Sequence, residues 1–201
     1  TEDQPLIIGS HLGTYAIVTV GRIANMAELV QKIFCLRSAH FAEMNEGEVN
    51  PTELVALFIN QGKTFAEGIE IAQNAIDGSC SLLLLTDQGV YAARDKLGRT
   101  PIILGRKAGA FCASLESCAF PNLGYETVRD LGPGEVVLLT PEGIEPVTLP
   151  RHRCQICSFL WVYYGYPASS YEGINTEDCR YRCGAAMARR DSVVVDVVAG
   201  I

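Results

Sequence analysis

The chain has 201 residues, 48% of them hydrophobic and 19% charged, and a formal net charge of −7. That size and balance suit a globular chain with one full core, or one domain plus part of another, and exclude a disordered one. The acidic balance excludes a nucleic-acid footprint, and no apolar run approaches the roughly 20 residues of a membrane-crossing helix.

In chain order, Thr1 to Pro5 reads as the tail of a loop. Gly13 to Val20 is an apolar, β-rich strand that breaks at Gly21. Asn25 can cap the helix that follows, in which Met26, Leu29, Val30, Ile33 and Phe34 recur at helical spacing. A polar loop is expected from Glu43 to Asn50. Asn50-Pro51-Thr52-Glu53 then opens a second helix, with proline in the first turn, where its missing N–H costs nothing. A third helix is expected over 65–76.

The stretch from Gly78 to Asp95 reads as a β-hairpin. Two apolar runs, Leu82–Leu85 and Val90–Ala93, flank Asp87-Gln88-Gly89, and the glycine supplies the open backbone conformation of a tight turn. After the break at Gly98 and Pro101, Ile102–Leu104 is expected to continue this ladder as a third strand. Phe111–Ser114 is another strand. Val136–Leu139 and Ile144–Val147, split by Thr140-Pro141-Glu142-Gly143, form a second hairpin.

A boundary is expected near Pro150–Cys157, where composition turns basic and polar before a new apolar unit, Phe159–Tyr164. Residues 171–190 can hold a helix. The valine run at 193–198 suits a strand buried on both faces, as in a parallel sheet. A chain that starts without Met or a signal-peptide pattern and stops in such a run is expected to be a piece of a longer protein, cut at both ends.

Of the eight cysteines, Cys35, Cys80 and Cys112 lie in apolar runs, where a free thiol behaves as a small hydrophobe. Cys154 and Cys157 have metal or redox spacing, and Cys179 and Cys183, on one helix face, could complete a zinc site. The competing reading is free thiols in a reducing cytoplasm. His11, His40 and His152 have no ligand spacing and read as surface or satisfied side chains. Arg94-Asp95 could be an exposed pair worth little, or could fix the turn together with Arg99.

Several of these stretches carry a resemblance. A hairpin ending Ala93-Arg94-Asp95, the turn Gly98-Arg99-Thr100-Pro101 and the strand end Leu104-Gly105-Arg106 look like the glutamine amidotransferase domain of amidophosphoribosyltransferases. Gln4-Pro5, the turn Arg129-Asp130-Leu131-Gly132-Pro133-Gly134-Glu135 and the segment Cys157 to Pro167 resemble the same family in order. The resemblance implies an α+β fold. A four-layer α-β-β-α glutaminase domain of the N-terminal-nucleophile type would occupy residues 1–150, its N-terminal part missing. Residues 151–201 would hold a bridge and the first elements of an α/β type I phosphoribosyltransferase domain.

The implied activity is glutamine-dependent formation of phosphoribosylamine from phosphoribosyl pyrophosphate, which opens purine synthesis. The implied setting is a cytoplasmic homo-oligomer when intact, acting on small molecules, with neither nucleic acid nor membrane as partner. The intact family implies magnesium bound with phosphoribosyl pyrophosphate. Some of its members hold an iron–sulfur cluster, to which Cys157 would give one of four ligands, the others lying beyond Ile201. No cofactor is expected within this piece.

The chemistry is where the sequence departs from the family. No N-terminal cysteine nucleophile is present, so these residues alone are expected to be inactive. Val20 and Gly21 match an Asn-Gly pair that stabilises an oxyanion, and Val20 can donate nothing. Losing one such donor costs about 3–4 kcal/mol of barrier. Pro51 stands where the family grips the glutamine amine with an Asp, while Glu53 matches a family Glu. Val20, Gly21 and Pro51 are thus the glutamine-pocket positions, and Arg94, Asp95 and Arg99 the structural motif. The alternative function is a degenerate glutaminase-like domain with a structural or regulatory role.

Overall fold

A computed structural model describes residues 4–35, 41, 44–45 and 48–200. The expected loop tail over 1–3, His40 and part of the polar loop expected from Glu43 lie outside the described residues. Strands β1 (Leu6–Ser10) and β2 (Gly13–Ile23) lead to helix α1 (Met26–Cys35). A small hairpin, β3 (Met44–Asn45) and β4 (Glu48–Val49), precedes α2 (Pro51–Ile59) and α3 (Phe65–Ala75). Next come β5 (Gly78–Leu85), β6 (Val90–Ala93), β7 (Ile103–Lys107) and β8 (Ala110–Ser114). Then follow α4 (Ala119–Asn122), β9 (Glu126–Asp130), β10 (Val136–Leu139) and β11 (Ile144–Thr148). A π-helix (Leu160–Tyr164), β12 (Ser170–Tyr171), β13 (Ile174–Asn175) and α5 (Thr176–Arg190) complete the chain.

Two antiparallel sheets carry the fold. One has six strands in the order β1-β2-β5-β6-β10-β11, the other three in the order β8-β7-β9. Strand side chains alternate faces, and the burial follows that rule. Tyr15, Ile17, Leu82, Leu84, Tyr91 and Val136 face α1–α3 and join Leu29, Leu54, Ile59 and Ile69 in the largest core. The alternate residues Ala92, Val137 and Leu139 face the three-stranded sheet and meet Ile102, Leu104 and Leu131. The far side of that sheet is covered by Phe120, Leu160 and Tyr171 around Ile103. Each fully buried Leu or Ile contributes about 1.5–3 kcal/mol, so the six-stranded sheet is held from both faces.

The central hairpin forms as the sequence implies, with Leu82 opposite Ala93 and Leu85 opposite Val90. Its expected third strand does not join the ladder. The other neighbour of β6 is β10, and β7 pairs with β8 and β9 in the second sheet. The turn between Arg94 and Thr100 redirects the chain, because the Asp95 carboxylate accepts from the N–H groups of Leu97 (3.1 Å) and Thr100 (2.8 Å). Asn25 does not cap α1 with its side chain. Its amide donates to the Ala75 carbonyl and accepts from the Asp77 N–H, tying α1 to the end of α3.

The valine run departs most. Residues 193–198 form no strand and lie exposed, Val194 at 98%. A strand buried on both faces needs neighbours to pair with, and among the described residues none lies beside it. Cys35 is exposed, whereas Cys80 lies in the main core. His11 is satisfied by the Gly62 carbonyl at 2.9 Å. Among the described residues no helix is long and apolar enough to cross a membrane.

Candidate functional site

The site forms at the open end of β2. β1 pairs with β2 only as far as Leu6 opposite Ile17. Past that point the Thr19 N–H turns to the Gln4 side chain at 2.8 Å. Gly21 holds the same place in the strand alternation two residues on, so its N–H faces the same open edge. Its φ of +143° is one that L side chains rarely adopt, and a Cβ there would sit 2.0 Å from the Ser79 carbonyl oxygen. Only glycine lets β5 approach this closely.

Helix α2 begins at the same place. Asn50 caps it by accepting from the Thr52 N–H at 2.8 Å, Pro51 takes the first turn, and the Thr52 hydroxyl meets the Thr19 hydroxyl at 2.6 Å. Between β2, α1 and α2 lies a cavity of about 200 Å³ whose lining includes Thr19, Gly21, Arg22, Pro51 and Cys80. Gly21 and Pro51, far apart in sequence, therefore meet at one cavity. Among its described lining residues there is no carboxylate, and Arg22 is the one charged group.

Val20 points to the opposite face. It lines an apolar cavity of about 180 Å³ at the edge of the inter-sheet space, together with Val18, Leu83, Ile102 and Leu115. An aliphatic side chain suits that wall and offers it no hydrogen bond.

Arg94 and Asp95 are buried, 1% and 2% exposed, so they are not an exposed pair. They do not bond each other. The Arg94 guanidinium donates to the carbonyls of Leu131 and Gly98 (2.6 Å) and pairs with Glu172 at 2.7 Å. Its carbonyl accepts from the Gln73 amide of α3. The Asp95 carbonyl accepts from Gly134 at 2.8 Å. The nearby turn is closed by Arg129, which grips both oxygens of buried Glu135 at 2.9 and 2.6 Å. Arg99 stands apart from this network and donates to Gln155 at 2.8 Å.

A second cavity, about 380 Å³, opens on the other side of Gly21 and Arg22 and reaches Arg99, Thr100, Cys157 and Tyr164. Burial raises the Tyr164 hydroxyl pKa, and the Cys157 thiol beside it adds to the shift. Cys157 is the one thiol among the described residues of this lining. Among the described residues no three His, Cys, Asp or Glu side chains gather to hold a metal ion. The four cysteines weighed for zinc therefore do not come together.

A model of the glutamine amidotransferase domain matches residues 1–121. The chain belongs to the glutamine amidotransferase domain family. Relatives of this amidotransferase-family chain over 98% of its length include the amidophosphoribosyltransferases of Archaeoglobus fulgidus (27% identical) and Bacillus subtilis (28%), of which it spans 43% and 41%. A glutamine phosphoribosylpyrophosphate amidotransferase from B. subtilis, solved with ADP and GMP, superposes on 97% of the chain with a TM-score of 0.85 at 26% identity, 42% of that structure being covered. A structure described as the allosteric regulatory enzyme of purine biosynthesis gives 0.84 at 25% identity. The chain thus spans less than half the length of the relatives it matches.

Sequence reasoning missed two features of this glutamine amidotransferase domain. Arg22, which walls both cavities, was hidden because only three-dimensional packing places it there. The other is Glu116, which accepts from the Ser169 hydroxyl and from Tyr171 at 2.7 Å. With Ser117 accepting from the Ser170 N–H, it ties residues 169–171 to the second sheet across more than 50 residues of chain.

Proposed function

We propose that this chain is the glutaminase part of an amidophosphoribosyltransferase homologue and that it has lost glutamine hydrolysis, the domain persisting in a structural or regulatory role. The observation that carries this is the residue at position 20: where the family resemblance calls for an amide donor Val20 has none, and the cavity it lines, on the face away from Gly21 and Pro51, has no amide or charged side chain among its described lining. A missing oxyanion donor costs about 3–4 kcal/mol, or about 10²–10³ in rate. Pro51 supports the same reading, since no carboxylate to hold an α-amine is among the described residues of the cavity it lines with Gly21. The backbone at Gly21 keeps a shape that only glycine allows, so the scaffold of the pocket outlasts its chemistry.

In this reading residues 1–150 are a four-layer glutaminase domain of the N-terminal-nucleophile type. Residues 151–201 bridge into a phosphoribosyltransferase domain that would bind magnesium and phosphoribosyl pyrophosphate. The test uses the intact gene product, following glutamate release from glutamine, and pyrophosphate release from phosphoribosyl pyrophosphate with glutamine or with ammonia. Turnover with ammonia and none with glutamine is the expected result. Turnover with glutamine overturns the loss of hydrolysis, and silence with both nitrogen sources removes the transferase half of the reading.

A further inference from the structure

The two cavities share one wall, made by Gly21 and Arg22. The Arg22 side chain makes no hydrogen bond or ion pair with any described residue, its backbone alone pairing with Ser79 of β5. Arg99 lines the larger cavity from the opposite strand connection, with one of its nitrogens on the neutral Gln155 amide. No carboxylate is among the described residues that line this cavity. Asp95, which bonds the lining residues Ser79 and Thr100, has its oxygens committed to the Leu97 and Thr100 N–H groups and the Ser79 hydroxyl, and Asp77 beside Gly78 pairs with Lys96. Two arginines thus line one recess of a chain whose net charge is −7, neither with a carboxylate partner among the described residues.

We propose that the cavity between Arg22 and Arg99 binds a small phosphate-bearing molecule. The planar guanidinium matches a phosphate with paired N–H donors. The hydroxyl of Tyr164 adds a neutral donor at the rim, and the volume of about 380 Å³ lies in the range of small-ligand sites. The inference stands whether or not glutamine is hydrolysed, because it rests on the charge of Arg22 and Arg99 and not on the oxyanion position.

Cys157 lines the same cavity and gives a local readout. Its alkylation rate, followed on the Cys157 peptide by mass spectrometry, is measured with inorganic phosphate, with succinate, and with chloride at matched ionic strength. Phosphate should slow the reaction and chloride should not. Succinate protecting as well as phosphate would show that any dianion suffices, and would overturn the phosphate assignment. Arg22→Ala and Arg99→Ala should each raise the phosphate concentration needed for half-protection by about tenfold, while Arg106→Ala leaves it unchanged. Arg22 is exposed, so its removal leaves the fold intact. No protection by phosphate in the wild-type chain, or equal protection in the Arg22→Ala/Arg99→Ala double variant, refutes the site.

Discussion

Replacing Arg94 by Met keeps most of the side-chain volume and removes the charge, and it tests how the two sheets are joined. The wild-type guanidinium, 1% exposed, donates to two carbonyls, Leu131 and Gly98, and pairs with Glu172. Each charge-assisted bond to a buried acceptor contributes about 1.5–3 kcal/mol, so the two carbonyls together lose about 3–6 kcal/mol. The Glu172 side chain is 29% exposed, so the lost pair adds little once solvent screening is counted. Against this, the substitution abolishes the desolvation of a buried cation whose Nε has no partner, which returns about 1–3 kcal/mol. The expected net loss is about 3 kcal/mol, or about 6–12 °C in Tm for a chain of this size. Thermal and guanidinium denaturation of the wild-type and Arg94→Met chains measure it. A double-mutant cycle with Glu172→Gln should give a coupling below about 1 kcal/mol. A loss under about 1 kcal/mol for Arg94→Met would refute the view that this side chain holds the 94–98 turn against the 131–134 turn.

Three further outcomes are expected. Gly21→Ala places a Cβ 2.0 Å from the Ser79 carbonyl oxygen at a φ of +143°; it should cost several kcal/mol, of order 3, and shift the amide resonances of Ser79 and Cys80, and unchanged stability would show that β2 and β5 are not packed this closely. Asp130 has its pKa raised above 3.8, mainly by burial; a carboxyl raised in the folded state binds its proton more tightly there, so its ionisation opposes folding above the raised pKa and the penalty vanishes as pH falls through it. Asp130→Asn should therefore raise Tm at neutral pH, with the advantage shrinking in acid, and an advantage that grows in acid would reverse the sign. Glu116→Ala removes the acceptor of both Ser169 and Tyr171; limited proteolysis should then cut faster between residues 150 and 176 while the core helices stay protected, and an unchanged cleavage pattern would show that Leu160 and Tyr171 hold this segment by packing alone.

Much of the fold was legible because its signals are local. The central hairpin announces itself by two apolar runs around a glycine turn, and α2 by Asn50-Pro51 at its start. Each of those features acts over a few residues, through backbone sterics or one capping bond. The family resemblance also lies in short motifs, from Gln4-Pro5 to Cys157–Pro167. Sheet membership was not legible, because strand pairing is set by which surfaces meet. Ile102–Leu104 looks the same in sequence whether it extends the hairpin or starts a second sheet. The buried Arg94 and Asp95 network, whose partners lie from 2 to nearly 80 residues away, decides that it leaves. The valines at 193–198 show the converse, since apolar sequence without a neighbouring strand makes no buried strand.

Within the site, the sequence by itself determined the chemistry on offer. Val20 has no donor, Pro51 has no carboxylate, and Gly21 allows a backbone shape that other residues resist. The tertiary structure alone decided where these groups point. Alternation along β2 sends Val20 to the inter-sheet face while Gly21 and Pro51 share a cavity with Arg22. The packing of β5 and of the segment around Cys157 brings Arg99 to that same arginine's other side. Side-chain type is fixed residue by residue, but the field and shape of a cavity come from groups distant in the chain, and only the folded packing sets them side by side.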